Sequence, residues 1–255
     1  MYINIINKIK MIINKINLKL KNTSYPNHVA IIMDGNRRWA KKKKMWKFSG
    51  HKEGVNTVKK IINSALYYRL KVLTLYAFSS ENWKRSVNEI TFLMNLFTKV
   101  LNNETINFKK KNICLKIIGN ISKFNINLQK SIIKAENFTK NNNGLILNIA
   151  VNYGGRWDII SGIKKIAVKI KKGLLNPKTI NEYNFSKYLC LNNIIPVDLV
   201  IRTGGELRIS NFLIWQIAYS ELYFTNILWP DFNKQNFKDA LEEFSKRKRR
   251  FGGNN

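Results

Sequence analysis

The sequence predicts a single α/β domain with a central, mostly parallel six-stranded sheet flanked by helices on both faces. Three observations lead there. Strand-like and helix-like segments alternate along the chain, the pattern of βαβ units. The strand-like segments are continuous apolar runs rather than alternating ones, as expected of strands covered on both faces. And 255 residues at 45% hydrophobic content, with four prolines, suffice for one sizeable core and leave no Pro-rich linker to divide it. Residues 1–22 are set apart as a basic N-terminal extension, and residues 23–255 form the domain.

The first strand is His28–Met33, an apolar run that stops at Asp34. Glu53–Arg69 follows as a helix, because Val55, Val58, Ile61, Ile62, Ala65 and Leu66 recur on one side. Val72–Phe78 is the second strand and Val87–Leu101 a helix. Cys114–Ile118, ended by Gly119-Asn120, is the third strand, Leu128–Phe138 a helix, and Leu145–Val151 the fourth strand. Asp158–Lys171 and a shorter piece at Phe185–Leu189 read as helices before the fifth strand, Val197–Ile201. Phe212–Ala218 reads as helical, Leu222–Phe224 as a short strand, and Phe237–Arg249 as the closing helix.

The charge balance is unusual: 45 Lys+Arg against 15 Asp+Glu, a formal +30. It points to an anionic partner (nucleic acid, an anionic membrane or a phosphorylated substrate) or to compositional drift in a chain rich in Lys, Asn and Ile. The lysines are scattered, which favours drift and makes the rarer arginines more informative. Two cysteines, Cys114 and Cys190, are too few for a disulfide framework and imply a reduced, cytoplasmic setting. Two histidines cannot build a histidine-rich metal site. The apolar runs of Met1–Lys21 are too short and too often broken by lysine to span a bilayer. A frayed extension is expected there, with a basic amphipathic helix in peripheral contact with a membrane as the alternative.

In open α/β sheets ligands bind beyond the carboxyl ends of the strands. The polar clusters fall there: DGNRR after the first strand, SSENWKR after the second, NYGGRWD after the fourth, RTGGELRIS after the fifth. One composite site accounts for all four. Asp34 suits Mg²⁺, which takes one or two carboxylates plus substrate phosphates; a helix N-cap is its structural alternative. Gly35 lets the backbone approach a ligand, and Arg37 and Arg38 add forked donors suited to phosphate. Arg202, Arg208 and Ser210 put three phosphate-capable groups on one glycine turn, unless an arginine pairs with Glu206 or Asp198 on the surface.

Five blocks in order carry a resemblance: MDGNRRWA, GHKEG (Gly50–Gly54), LTLYAFSSENWKR (Leu73–Arg85), NIAVNYGGRWD (Asn148–Asp158) and PVDLVIRTGGELRISNFLIWQIAYSELYF (Pro196–Phe224). Together they resemble the undecaprenyl diphosphate synthase family of cis-prenyltransferases, from about Tyr25 to Gly253. The resemblance implies a Mg²⁺-dependent enzyme that condenses isopentenyl diphosphate repeatedly onto an allylic diphosphate, farnesyl diphosphate. The product would be a long-chain cis-polyprenyl diphosphate such as undecaprenyl diphosphate, the lipid carrier precursor for cell-wall synthesis, or a relative of different length.

It also implies roles. Asp34 and Glu221 would hold the metal, Glu221 reaching across a homodimer interface. Gly35, Asn36, Arg37, Arg38, Lys47 and His51 would surround the allylic diphosphate; Lys47 stands where relatives commonly carry Arg and lacks the bidentate fork. Arg202, Arg208 and Ser210, joined by Arg85, would bind isopentenyl diphosphate. Asn82 with Ser79 would position the homoallylic proton near a diphosphate oxygen acting as base, with Ser80, Glu81 and Trp83 completing the second cluster. Trp39 and Trp83 would flank the reacting isoprenes through their π faces, or else pack as core, the reading taken for Trp215 and Trp229. Glu89 reads as a structural partner at a helix start. Leu93, Ala77, Leu145 and Leu147 are candidate walls of an apolar tunnel. Arg250-Phe251-Gly252 resembles a C-terminal signature that reaches into a partner's site. No nucleic-acid-binding module is present, so no nucleic-acid partner is expected. The intact Asp34, Arg38, Arg202, Arg208 and Ser210 argue against a non-catalytic subunit.

Overall fold

The computed structural model describes residues 25–250; the basic extension and Phe251-Gly252 lie outside the described residues. The sheet is six-stranded and parallel throughout, in the order β3-β4-β2-β1-β5-β6. Its strands are β1 (His28–Ile32), β2 (Val72–Ser79), β3 (Cys114–Ile118), β4 (Ile146–Tyr153), β5 (Leu199–Arg202) and β6 (Glu221–Phe224). The helices are α1 (Asn36–Lys42), α2 (Ser49–Tyr67), α3 (Val87–Lys110), α4 (Ile126–Thr139), α5 (Gly155–Lys171), α6 (Glu182–Ser186) and α7 (Lys234–Lys246).

Every residue of β1 is buried. Because side chains alternate across a strand, Val29 and Ile31 enter one apolar layer with Ile61 of α2, Leu101 of α3, Ile132 of α4 and Phe237 of α7. Ala30 and Ile32 enter the other, with Tyr76, Tyr153, Phe212 and Trp157 of α5. The predicted two-faced coverage is therefore present. β1 pairs with β2 on one side and β5 on the other, so the chain order reverses beside it. That reversal is where open α/β sheets bind ligands, and Asp34 lies just beyond it. A bulge between Tyr76 and Phe78 leaves Ala77 exposed and delivers Ser79 to the same rim.

The structure corrects one expectation and removes one alternative. The segment Phe212–Ala218 is a succession of turns, not a helix. Ser210, Asn211 and Leu213 have φ of +46°, +62° and +43°, a left-handed region that a right-handed helix cannot absorb. Phe212, Leu213 and Ile217 are still buried, so the apolar spacing reported burial correctly and helicity wrongly. Asp34 is not a helix N-cap: Gly35 holds that position, at φ +112°. A Cβ there would sit 2.9 Å from Leu228 Cδ2 and 3.0 Å from Leu228 Cα, so both conformation and space select glycine.

Candidate active site

Asp34 is fixed by its backbone before its side chain does anything. Its N–H donates to Thr203 Oγ1 (3.0 Å), and the Thr203 hydroxyl donates to its carbonyl (2.8 Å). The carboxylate then meets two guanidinium groups, Arg202 at 2.9 Å and Arg38 at 3.2 Å. Arg202 is almost wholly buried at the end of β5 and donates also to Ser210 Oγ (2.7 Å) and the Arg208 carbonyl. Its Nε has no hydrogen-bond partner among the described residues. Arg38 reaches Glu206 (3.5 Å), and Glu206 pairs in turn with Arg208 (2.6 Å), the surface pairing that the sequence held out as the alternative. Gly204, at φ +89°, leaves room for this arrangement, since a Cβ there would lie 2.6 Å from Arg38 Nη2.

A second charged group sits around the first turn of α3. Glu89 is buried and pairs with Arg85 (2.9 Å), Arg37 (3.7 Å) and His51 (3.7 Å). Glu89 is thus the structural partner expected, though the three groups it gathers come from α1, α2 and the segment before α3. Burial drives the His51 pKa down to about 4; Arg85 and Arg37 push the same way and Glu89 opposes them. The ring is neutral near pH 7, with Nε2 buried and without a hydrogen-bond partner among the described residues. Asn36 Oδ1 is buried in the same condition.

The short helix Ser80–Lys84 closes the rim, its start locked by a reciprocal capping box between Ser79 and Asn82. Partial burial would raise the Glu81 pKa, but hydrogen bonds from Asn211, its own backbone N–H, Ser79 and Ser80 hold it below the usual value. Asn211 was missed in the sequence and joins three clusters. Its side chain donates to Glu81 (2.8 Å) and accepts from Arg156 N–H (2.9 Å), and its carbonyl accepts from Gly155 N–H (2.7 Å). Its left-handed backbone, common for Asn, is the signal that could have found it. The Trp39 indole N–H donates to Asp231 (2.7 Å) and that of Trp83 to Asn152 (2.8 Å). Lys47 is exposed, its ammonium over the Phe48 ring.

Beneath this rim lies an apolar cavity of about 160 Å³ between α2, α3 and the sheet. Asn36 and His51 stand at its polar end, and Leu93, Ala77 and Leu147 line it as expected. Leu145 does not; it is core packing. Trp229 is buried as predicted, yet also lines the cavity. Glu221 is elsewhere. It pairs in register with Leu199 at the start of β5, while Arg202 pairs with Phe224 at the other end. Three residues of strand put it about 10 Å back from the rim, and its carboxylate pairs with Arg247 (2.9 Å). One chain therefore does not bring Asp34 and Glu221 together.

A family model described as "Putative undecaprenyl diphosphate synthase" matches residues 32–252. The chain belongs to the undecaprenyl diphosphate synthase family. A relative from Wigglesworthia glossinidia brevipalpis, named ditrans,polycis-undecaprenyl-diphosphate synthase ((2E,6E)-farnesyl-diphosphate specific), is 61% identical over 234 residues, covering 92% of this chain and 90% of the relative. One of the same name from Buchnera aphidicola subsp. Schizaphis graminum is 60% identical over 226 residues, 89% and 91% of the two chains. Among solved structures, lavandulyl diphosphate synthase from Lavandula x intermedia, in complex with dimethylallyl diphosphate, superposes with TM-score 0.87 at 40% identity, covering 89% of this chain and 98% of that one. Like the rest of the undecaprenyl diphosphate synthase family, the chain is a transferase of prenyl groups.

Proposed function

We propose that this transferase extends farnesyl diphosphate with successive isopentenyl units to undecaprenyl diphosphate. One observation carries the reading: two sets of arginines share a rim over an apolar cavity, so two diphosphates can be held with one hydrocarbon tail directed inward. The specificity in the names of the relatives supports the starter and the product.

The donor set fits Mg²⁺. Asp34 offers a carboxylate that is 31% exposed, and Mg²⁺ is commonly held by one or two carboxylates with phosphates and water completing the shell. When bound, the ion neutralises a leaving diphosphate. Arg37, Arg38, Asn36 and His51 orient the allylic diphosphate at the cavity end. Arg202, Arg208 and Ser210 hold isopentenyl diphosphate, whose oxygen takes the homoallylic proton while Asn82 and Ser79 orient the new unit. Among the described residues no acid or histidine is better placed as base, His51 being neutral but flanked by cations.

A homodimer belongs to the proposal. Glu221 is remote from its own chain's Asp34, and Tyr219 (77% exposed) beside it leaves apolar surface for a second copy to cover. The test is incubation with labelled isopentenyl diphosphate, farnesyl diphosphate and Mg²⁺, followed by product sizing. Undecaprenyl-length chains support the reading. A stop after one or two additions would reassign the chain to short products, and no elongation would remove the activity.

A further inference from the structure

In the link from α1 to α2, residues 41–46 make no ion pair with either cluster of the rim among the described residues. Residues 41–47, KKKKMWK, are all exposed. Met45 is 50% and Trp46 54% exposed, although both are apolar. Lys41 and Lys42 lie in the last turn of α1, where cations suit the helix dipole. Lys43 and Lys44 lie beyond it, and Lys44 reverses the chain at φ +53°. Among the described residues none of Lys41 to Lys44 has a carboxylate partner. The basic C-terminal segment differs, since Arg247 and Arg249 are paired to Glu221 and Asp198.

Trp46 is held in place, not loose. Its ring packs edge-on against Phe48 (4.5 Å between centroids) and Phe92 (5.5 Å), which stack on each other at 4.7 Å. This knot ties the link to the N-cap of α2 and the second turn of α3, the helices that wall the cavity. Lys52 lies over the indole at 5.5 Å, so one face is already covered and the ring makes a poor platform for a nucleic-acid base. An indole anchored among unpaired lysines is instead the composition of a membrane–water interface.

We propose that residues 41–46 dock the enzyme on an anionic lipid surface, bringing the α2–α3 wall against the bilayer that takes up the product. The proposal rests on the prenyl-lipid reading for its purpose, and its test does not. Full-length chain is sedimented with vesicles of phosphatidylglycerol and phosphatidylcholine, or of phosphatidylcholine alone, and titrated separately with a single-stranded oligonucleotide. The variant K41Q/K42Q/K43Q/K44Q should bind the anionic vesicles about 10³-fold more weakly, and Trp46→Ser several-fold more weakly. Both should melt near the parent; if the quadruple variant does not, K43Q/K44Q, which lies beyond α1, replaces it. Parental vesicle binding by both variants overturns the proposal. So does a loss confined to the oligonucleotide. An active enzyme indifferent to vesicles would sink this inference alone, and a vesicle-binding chain that elongates nothing would sink only the proposed reaction.

Discussion

The two charged groups of the rim are built in opposite senses. Beside β1 the buried partner is a cation: Arg202 is 5% exposed and Asp34 31%. At the start of α3 the buried partner is an acid: Glu89 is 4% exposed, Arg85 32% and Arg37 64%. A buried charge needs a compensating partner, and the more accessible member is the one left for a ligand. The first group therefore leaves both the Asp34 carboxylate and the Arg38 guanidinium (47% exposed) accessible above the buried Arg202, and the second leaves only guanidinium groups accessible, for an anion. Under the proposed function the ions that meet them are Mg²⁺ and diphosphate.

Asp34→Ala tests the first arrangement and should be the most severe change, lowering turnover about 10³-fold while the chain still folds; near-parental turnover would take Asp34 out of the mechanism. Glu89→Ala inverts the logic, leaving Arg85 and His51 without their shared acid. Because the arginines left behind are solvent-accessible and His51 is neutral, it should cost only about 1 kcal/mol of stability in denaturant titration, and a loss of about 3 kcal/mol or more would make the group tightly coupled. Arg202→Ala should chiefly raise the KM for isopentenyl diphosphate, by about tenfold; an effect confined to the allylic substrate would show the two sites exchanged. Acid sensitivity gives the last test. Burial lowers both His28 and His51 to about 4 from 6.5, so between those values the unfolded chain binds more protons and stability falls as pH drops. His51→Gln should flatten that slope, seen in melting temperature between pH 6.5 and 4; an unchanged slope would place the titration elsewhere.

The inner strands were legible because they are largely apolar runs, and their carboxyl ends located the rim. The helical reading of Phe212–Ala218 failed because side-chain periodicity reports burial, whereas Ser210, Asn211 and Leu213 turn the backbone left-handed. Asp34, Arg38, Arg202 and Ser210 were placed together from motif order, and they do converge. The gathering of Arg37, His51 and Arg85 by Glu89 was not readable, because contacts among residues up to 52 positions apart follow from how α2 packs on α3. The remoteness of Glu221 from its own chain's Asp34 agrees with the resemblance, which has it reach across a dimer interface, but the residues alone did not show it, because it depends on the register of β6 against β5.

The cavity sharpens the dynamic consequence. At about 160 Å³ it resembles in size an engineered cavity that accepts benzene, far smaller than a long polyprenyl chain. Its wall follows α3 from Leu93 to Phe108, about 22 Å at the helical rise. A product longer than the cavity has to displace some of its lining as it grows.

The most direct test is a crystal structure with Mg²⁺ and a non-reactive thio analogue of farnesyl diphosphate. An Asp34 oxygen should lie about 2.1 Å from the metal, the diphosphate against Arg37, Arg38 and His51, and the hydrocarbon between α2 and α3. A metal on other carboxylates, or a diphosphate bound away from both arginine groups, would contradict the proposed site.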